Sequence, residues 1–282
     1  MTGPGRSTMS GLVSRAGSAG AGIGAFNVIQ LEHAEGIAAG AERAGRPVIL
    51  QISENTVAYH GSLVPLARAC LAVAAEASVE VVVHLDHATR PDLVAQAVDL
   101  GLPSLMYDAS ALPHDDNVAA TRTVVSVAHA AGDWVEAELG EVGGKDGVHA
   151  PGARTRPDEA ASYVAETGVD ALAVAVGSSH AMLTRDAVLD EGLIAAIAAA
   201  VPVPLVLHGS SGVPDDGLRR AVGHGIRKVN VATQLNKVMA AAVRHALDDR
   251  ALVDPRRYLG PGRDAVAAEV ARLLTLLAPT PY

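Results

Sequence analysis

The feature that most constrains this chain is a repeated two-part unit: a short, nearly uniform apolar run, then an Ala-rich amphipathic stretch. The apolar runs are residues 23–28, 48–53, 79–85, 104–108, 134–139, 171–176, 205–208 and 227–231. Helical periodicity follows at 32–44, 63–77, 91–100, 117–131, 157–166, 190–199, 215–222 and 234–248. Strands that are apolar on both faces belong to parallel sheets covered by helices. Eight such units predict an α/β fold closed into a (β/α)8 TIM barrel over about residues 20–250. An open doubly wound sheet usually has fewer strands and a Gly-rich first turn, which this sequence lacks. Residues 255–277 are left over and predict a C-terminal helical arm within about 251–282. No linker or composition shift divides the chain, so one domain is expected over 1–282.

Composition narrows the function classes. Apolar residues make up 49% and aromatics 2%, so a large core is available and must be built from Ala, Val, Leu and Ile. A net charge of -9 excludes the basic footprint of non-specific nucleic-acid binding. Cys70 stands alone, which permits no internal disulfide and suits a reducing cytoplasm. Arg6 and Arg15 flank Gly, Ser and Ala rather than an apolar signal core. The longest uncharged run, Gly192 to Pro214, is broken by Pro202, Pro204 and the polar HGSSG segment, so no membrane span is expected.

The polar residues gather at one end of the strands. Those ends read Asn27, Ser53, Asp86–His87, Asp108, Glu138, Gly177–His180, His208 and Asn230. In a barrel enzyme the reacting groups sit there. Within His84-Leu85-Asp86-His87, alternation places His84 and Asp86 on one side and His87 on the other, unless the chain turns at Asp86. Three neutral imidazoles from separate strand ends can hold Zn2+ and leave a position open. No local spacing rule selects them among eleven histidines. His33, His60, His114, His129, His149, His224 and His245 fall on helices or loops and are expected to face solvent.

Two segments suit phosphate. Gly209-Ser210-Ser211-Gly212 follows the seventh strand, and Asn230-Val231-Ala232-Thr233 follows the eighth and opens a helix. Each is also readable as an ordinary turn or a Thr N-cap. Their pairing after strands seven and eight matches the place where many barrels bind a phosphate dianion. Leu139 to Arg156 is the longest connection, with five glycines, Lys145 and Asp146. It reads as a mobile lid carrying an acidic side chain over a substrate.

Val83-His84-Leu85-Asp86-His87, Val135-Glu136-Ala137-Glu138-Leu139-Gly140 with Gly143-Gly144, Gly177-Ser178-Ser179-His180, Leu207-His208-Gly209-Ser210-Ser211-Gly212 and Asn230-Val231-Ala232-Thr233 together carry a resemblance. From about Ala25 to the C-terminal arm, the sequence resembles the class II, zinc-dependent ketose-bisphosphate aldolases. The resemblance implies a TIM-barrel lyase that reversibly cleaves fructose or tagatose 1,6-bisphosphate to dihydroxyacetone phosphate and glyceraldehyde 3-phosphate, through a zinc-stabilised enediolate. It implies zinc ligands at His87, His180 and His208, and Asp86 as the acid/base serving the C4 hydroxyl. Asp108 and Glu138 match positions for a second or displaced metal. Asn27, Ser53, Ala181, Gly209, Ser210, Ser211, Asn230, Val231, Ala232 and Thr233 form the expected substrate and phosphate set, with a monovalent cation (Na+ or K+) nearby. Homodimers or homotetramers are expected, with a phosphorylated sugar as the only other partner.

Three positions depart from the family pattern. Asp146 stands where the lid motif usually has Glu, one methylene longer. Ala181 replaces the usual Gly after the second zinc histidine. Ala232 stands where the fructose-bisphosphate branch often has Asp and the tagatose branch commonly Ala, which leans towards tagatose bisphosphate. Competing readings are a Schiff-base aldolase using Lys145, Lys228 or Lys237, a metal-dependent barrel hydrolase, and a metal- and phosphate-binding protein without turnover. Lys228 shares the parity of Asn230 and is expected to point into the barrel.

Overall fold

The computed structural model describes residues 8–139, 154–179 and 182–278. Eight parallel strands close into a barrel in sequence order, β1 pairing with β8. They are β1 Ile23–Asn27, β2 Val48–Ser53, β3 Val81–Ala88, β4 Ser104–Tyr107, β5 Trp134–Leu139, β6 Ala171–Val174, β7 Leu205–Leu207 and β8 Ile226–Val231. All eight expected strands are present, so the closed barrel displaces the open doubly wound sheet.

The covering helices are α1 Met9–Ser18, α2 Leu31–Ala44, α3 Glu54–His60, α4 Val64–Glu76, α5 Pro91–Asp99, α6 His114–Ala131, α7 Pro157–Thr167, α8 Glu191–Ala200, α9 Asp215–His224, α10 Thr233–Ala246 and α11 Pro255–Leu276. Two of them, α1 and α3, were not expected from the sequence. In α1 the apolar residues Met9, Leu12 and Val13 lie on one face, and the Thr8 side chain caps the first turn. That face closes the N-terminal mouth of the barrel, packing with the inward residues Ile23, Ile49, Val82, Met106 and Trp134. The opposite mouth is left for chemistry. Helix α3 starts at Ser53, whose hydroxyl accepts from Thr56 N–H at 3.3 Å, and stops at Gly61 in the left-handed region.

The expected C-terminal arm is a helix docked along the barrel rather than projecting from it. Val266, Ala267, Val270, Leu273 and Leu274 of α11 are buried. Close approach to α2 depends on Gly36 and Gly40, where an added Cβ would lie 2.8 Å from Arg263 O and 2.5 Å from Ala267 O. Gly22 N–H donates to Leu277 O at 2.9 Å and ties the end of α11 to the start of β1. Among the described residues, no single helix is long and apolar enough to cross a membrane.

Candidate active site

Strand alternation carries a column of polar residues up the inside of the barrel. Gln51, His84, Glu136 and Lys228 form a buried layer, and Asn27, Asp86, Glu138, His208 and Asn230 stand one step nearer the C-terminal mouth. Above them lies a cavity of about 750 Å³ lined by Asn27, Ser53, Asp86, His87, Asp108 and Asn230. Gly209, Ser210, Ser211, Ala232 and Thr233 complete the same cavity.

His87 reaches this site through a local distortion. Pairing between β3 and β4 shifts register between Leu85 and Ala88, and His87 has φ 50. It is the one non-glycine residue with positive φ among the described residues. An imidazole held in this sparsely populated region needs support from its surroundings. Asp108 Oδ2 supplies it, accepting from His87 Nδ1 at 2.8 Å. Asp108 is fixed in turn by Ser110, whose hydroxyl donates to Oδ1 at 2.6 Å. The turn therefore brings His87 and Asp86 to one cavity, although they are adjacent in a strand.

His208 is fully buried, and its Nε2 lies 2.8 Å from Glu136 Oε1. A carboxylate accepts, so Glu136 and Asp108 favour the tautomers protonated at His208 Nε2 and His87 Nδ1, with Asn230 Nδ2 also 3.1 Å from His208 Nε2. The remaining nitrogens, His208 Nδ1 and His87 Nε2, face each other at 2.9 Å. Two lone pairs that close repel unless a shared cation lies at them. Glu138 joins them: ligand atoms of His87, Glu138 and His208 all lie within 4.8 Å of one another. Two imidazoles and a carboxylate, each ring anchored by a second carboxylate, suit a borderline metal such as zinc. His180, the third expected imidazole, lies outside the described residues, as do Ala181 and Asp146.

Asp86 stands beside this pair. Asn27 Nδ2 donates to its Oδ2 at 3.3 Å and Asn230 Nδ2 to its Oδ1 at 3.4 Å. Gln51 Nε2 donates to Asn27 Oδ1 at 2.6 Å and so orients Asn27. Burial raises the Asp86 carboxyl, but positive charge facing it, on His87 and His208 when protonated and on the Lys228 ammonium, holds it below the ordinary range.

The two phosphate-type segments are neighbours. Ser211 Oγ accepts from Gln234 N–H at 3.1 Å, linking the turn after β7 to the first turn of α10. Gly209 has φ 66, and an added Cβ would lie 2.5 Å from Ser179 O, so this turn requires glycine twice over. The N-terminus of α10 and the short 3-10 turn Ser210–Gly212 together offer backbone N–H groups to an anion. The Val231 side chain instead packs in the core between strands and helices, leaving only its backbone near the turn.

A match to the family model for class-II fructose-bisphosphate aldolase runs over residues 7–280. The chain belongs to the class-II fructose-bisphosphate aldolase family. Family members are aldehyde-lyases that depend on zinc. Fructose-bisphosphate aldolase of Thermus caldophilus is 37% identical, covering 94% of this chain and 95% of that one. The Geobacillus stearothermophilus enzyme of the same name is 39% identical, covering 88% of each. The crystal structure of the YdjI aldolase from Escherichia coli K12 superposes with a TM-score of 0.85 at 31% identity, covering 97% of both chains.

Family membership and the geometry remove one competing reading. Lys228 does point inward, as parity predicts, but it is fully buried in an ion pair with Glu136 and does not line the cavity. Lys237 Nζ donates to Leu183 O at 2.8 Å, and Lys145 lies outside the described residues. One histidine is corrected. His33 was expected to face solvent but is buried near Asn236 of α10, and burial lowers its imidazole. His60, His114, His129, His224 and His245 are exposed as expected, and His149 is not described. Glu136 and Gln51 were given no role from the sequence, and Lys228 only that of a rival Schiff-base nucleophile. Their two-residue spacing from Glu138, Ser53 and Asn230 was the signal that they share the barrel interior.

Proposed function

We propose that this chain reversibly cleaves a ketose 1,6-bisphosphate, fructose or tagatose, to dihydroxyacetone phosphate and glyceraldehyde 3-phosphate. The observation that carries it is the convergence of His87 Nε2 and His208 Nδ1, 2.9 Å apart, beside a buried Asp86 at a cavity that the two anion-type segments complete. A metal hydrolase would share the imidazoles but gives no reason for the two phosphate segments side by side. The named relatives support the sugar bisphosphate.

In this reading His87, His180 and His208 hold zinc, with Glu138 near enough to take a place in the ligand set. Zinc bound there supplies positive charge for the C2 carbonyl oxygen as C3–C4 breaks. Asp86 accepts the C4 hydroxyl proton, and Asn27 and Asn230 aim its two oxygens. The C1 phosphate takes the backbone N–H groups of Gly209–Ser211 and of the α10 N-terminus, where the helix dipole favours a dianion. Asn27 and Ser53 border the sugar, and a Na+ or K+ ion near the phosphate would balance its charge. Asp146, in the lid motif, exchanges the carbon proton of the dihydroxyacetone phosphate fragment. Ala232, at the N-cap of α10, lines the cavity without a carboxylate, which supports tagatose bisphosphate being used at least as well as fructose bisphosphate. We place the enzyme in the cytoplasm as a homodimer or homotetramer, Cys70 being a free buried thiol.

The test is triose formation from both bisphosphates, side by side, with and without EDTA. Triose should appear from at least one sugar, stop on chelation and return with Zn2+. Activity that survives complete zinc removal, or that borohydride and substrate destroy, rejects the reading. Phosphate release without triose favours the hydrolase.

A further inference from the structure

Three buried polar side chains lie beneath the cavity without lining it: Lys228, Glu136 and His84, each 0% exposed. Buried ion pairs are often replaceable by apolar residues without loss of stability, so stability alone does not account for a lysine in the barrel centre. Its contacts do. Lys228 Nζ donates to Glu136 Oε2 at 2.7 Å and to Asn230 Oδ1 at 2.9 Å. Each acceptor hands the order upward.

The other oxygen of Glu136 accepts from His208 Nε2, which leaves Nδ1 as the nitrogen turned to His87. Asn230, with its oxygen held by the ammonium, turns its NH2 group towards Asp86 Oδ1 at 3.4 Å and His208 Nε2 at 3.1 Å, because the flipped amide would set its N–H groups against the ammonium. His84 walls the network without adding charge. Its Nδ1 pairs with Ser104 Oγ at 2.6 Å, and burial and then the Lys228 ammonium keep its imidazole well below the usual range.

We propose that Lys228 is the positioning residue of this active site, selecting through Glu136 the nitrogen that His208 offers to the metal and through Asn230 the direction of Asp86. The inference rests on the proposed roles of His208 as ligand and Asp86 as base. A single cation thereby couples the metal side of the site to its proton-transfer side, from below and without touching substrate.

The experiment compares wild type, Lys228→Met and the double variant Lys228→Met/Glu136→Gln. Zinc affinity is read by chelator competition, the visible spectrum of the Co2+-substituted protein reports ligand geometry, and kcat and KM are measured separately. Lys228→Met leaves the buried Glu136 carboxylate without its cation; an unpaired buried charge turns away towards other donors and no longer holds His208 Nε2, so zinc affinity should fall by about ten- to hundredfold, the usual effect of losing an orienting partner. In the double variant a neutral amide oxygen can again accept from His208 Nε2, so zinc affinity and the Co2+ spectrum should return towards wild type. Asn230 remains unpinned there, so kcat should stay low while KM changes little. Wild-type zinc affinity in Lys228→Met, or no recovery in the double variant, overturns the inference.

A measurement on the metal-free wild type stands in if a variant does not fold. Nitrogen-15 NMR of the histidine rings should show His208 protonated at Nε2, and an Nδ1–H tautomer overturns the inference. Wild type that binds no zinc at these histidines instead defeats the proposed function, so the two failures are distinct.

Discussion

His208 Nδ1 lies 2.9 Å from His87 Nε2, and the opposite nitrogen of each ring is held by a buried carboxylate, Glu136 for one and Asp108 for the other. Two rings anchored from behind are pre-set to share one cation, with little side-chain entropy left to lose on binding. His208→Ala should therefore abolish stoichiometric zinc and nearly all cleavage while the barrel stays folded. Zinc content by elemental analysis and the circular dichroism spectrum check this. Full zinc at wild-type affinity in the variant would remove His208 from the ligand set.

The docking of α11 on α2 gives a second prediction, about stability rather than chemistry. An added Cβ at Gly40 would lie 2.5 Å from Ala267 O and 2.7 Å from Val270 Cβ, with backbone on one side and a buried side chain on the other. Gly40→Ala gains helix propensity but forces the helices apart, and overpacking of this kind costs about 1–3 kcal/mol. Urea unfolding should show a lower midpoint for the variant. An unchanged or higher midpoint would mean that α11 shifts to admit the methyl group without cost.

Cys70 supplies a pH dependence with a definite sign. Burial pushes its thiol from an ordinary value near 9.0 up to about 12. Below pH 9 the thiol is protonated whether the chain is folded or not, and it contributes no slope. Between pH 9 and 12 the unfolded thiol loses its proton and the folded one keeps it, so unfolding releases a proton and stability falls as pH rises. The contribution is about 1.4 kcal/mol at pH 10. The loss of unfolding free energy between pH 7.5 and 10 should be smaller by that amount in Cys70→Ala than in wild type. Equal losses in the two proteins would show that other groups set the alkaline limit.

How far the sequence reaches can be judged at particular residues. The eight strands were legible because a strand buried on both faces must be apolar along its whole length, and nothing else in the chain repeats that way. The polar strand ends were legible for the same reason, since a polar residue closing an apolar run is conspicuous. The direction of His87 was not, because it depends on a register shift and a left-handed residue near the end of β3. The role of Lys228 was hidden for a different reason. Parity points it inward, but its partner Glu136 is 92 residues away, and only closure of the barrel brings β8 and β5 within reach across the interior. Helix α1 was obscured by its glycines and serines, which have poor helix propensity; packing against the barrel mouth outweighs them.

The last prediction separates the work of the two acids. Asp86 is fixed at the end of β3 by Asn27 and Asn230, whereas Asp146 belongs to the glycine-rich connection after β5. If Asp86 serves only the C4 oxygen, Asp86→Ala should abolish cleavage and still permit slow exchange of the dihydroxyacetone phosphate C–H proton with solvent. If Asp146 serves the carbon, Asp146→Ala should suppress that exchange with zinc still bound. Loss of one positioned acid or base costs about 10^2–10^4 in rate, which leaves either effect well within reach of measurement. Asp146→Glu restores the longer carboxylate usual in the family and should maintain or raise the exchange rate. Deuterium wash-in followed by NMR on the three variants decides the division. Normal exchange in Asp146→Ala would transfer the carbon proton to another group, with Glu141 and Lys145 the nearest candidates in sequence.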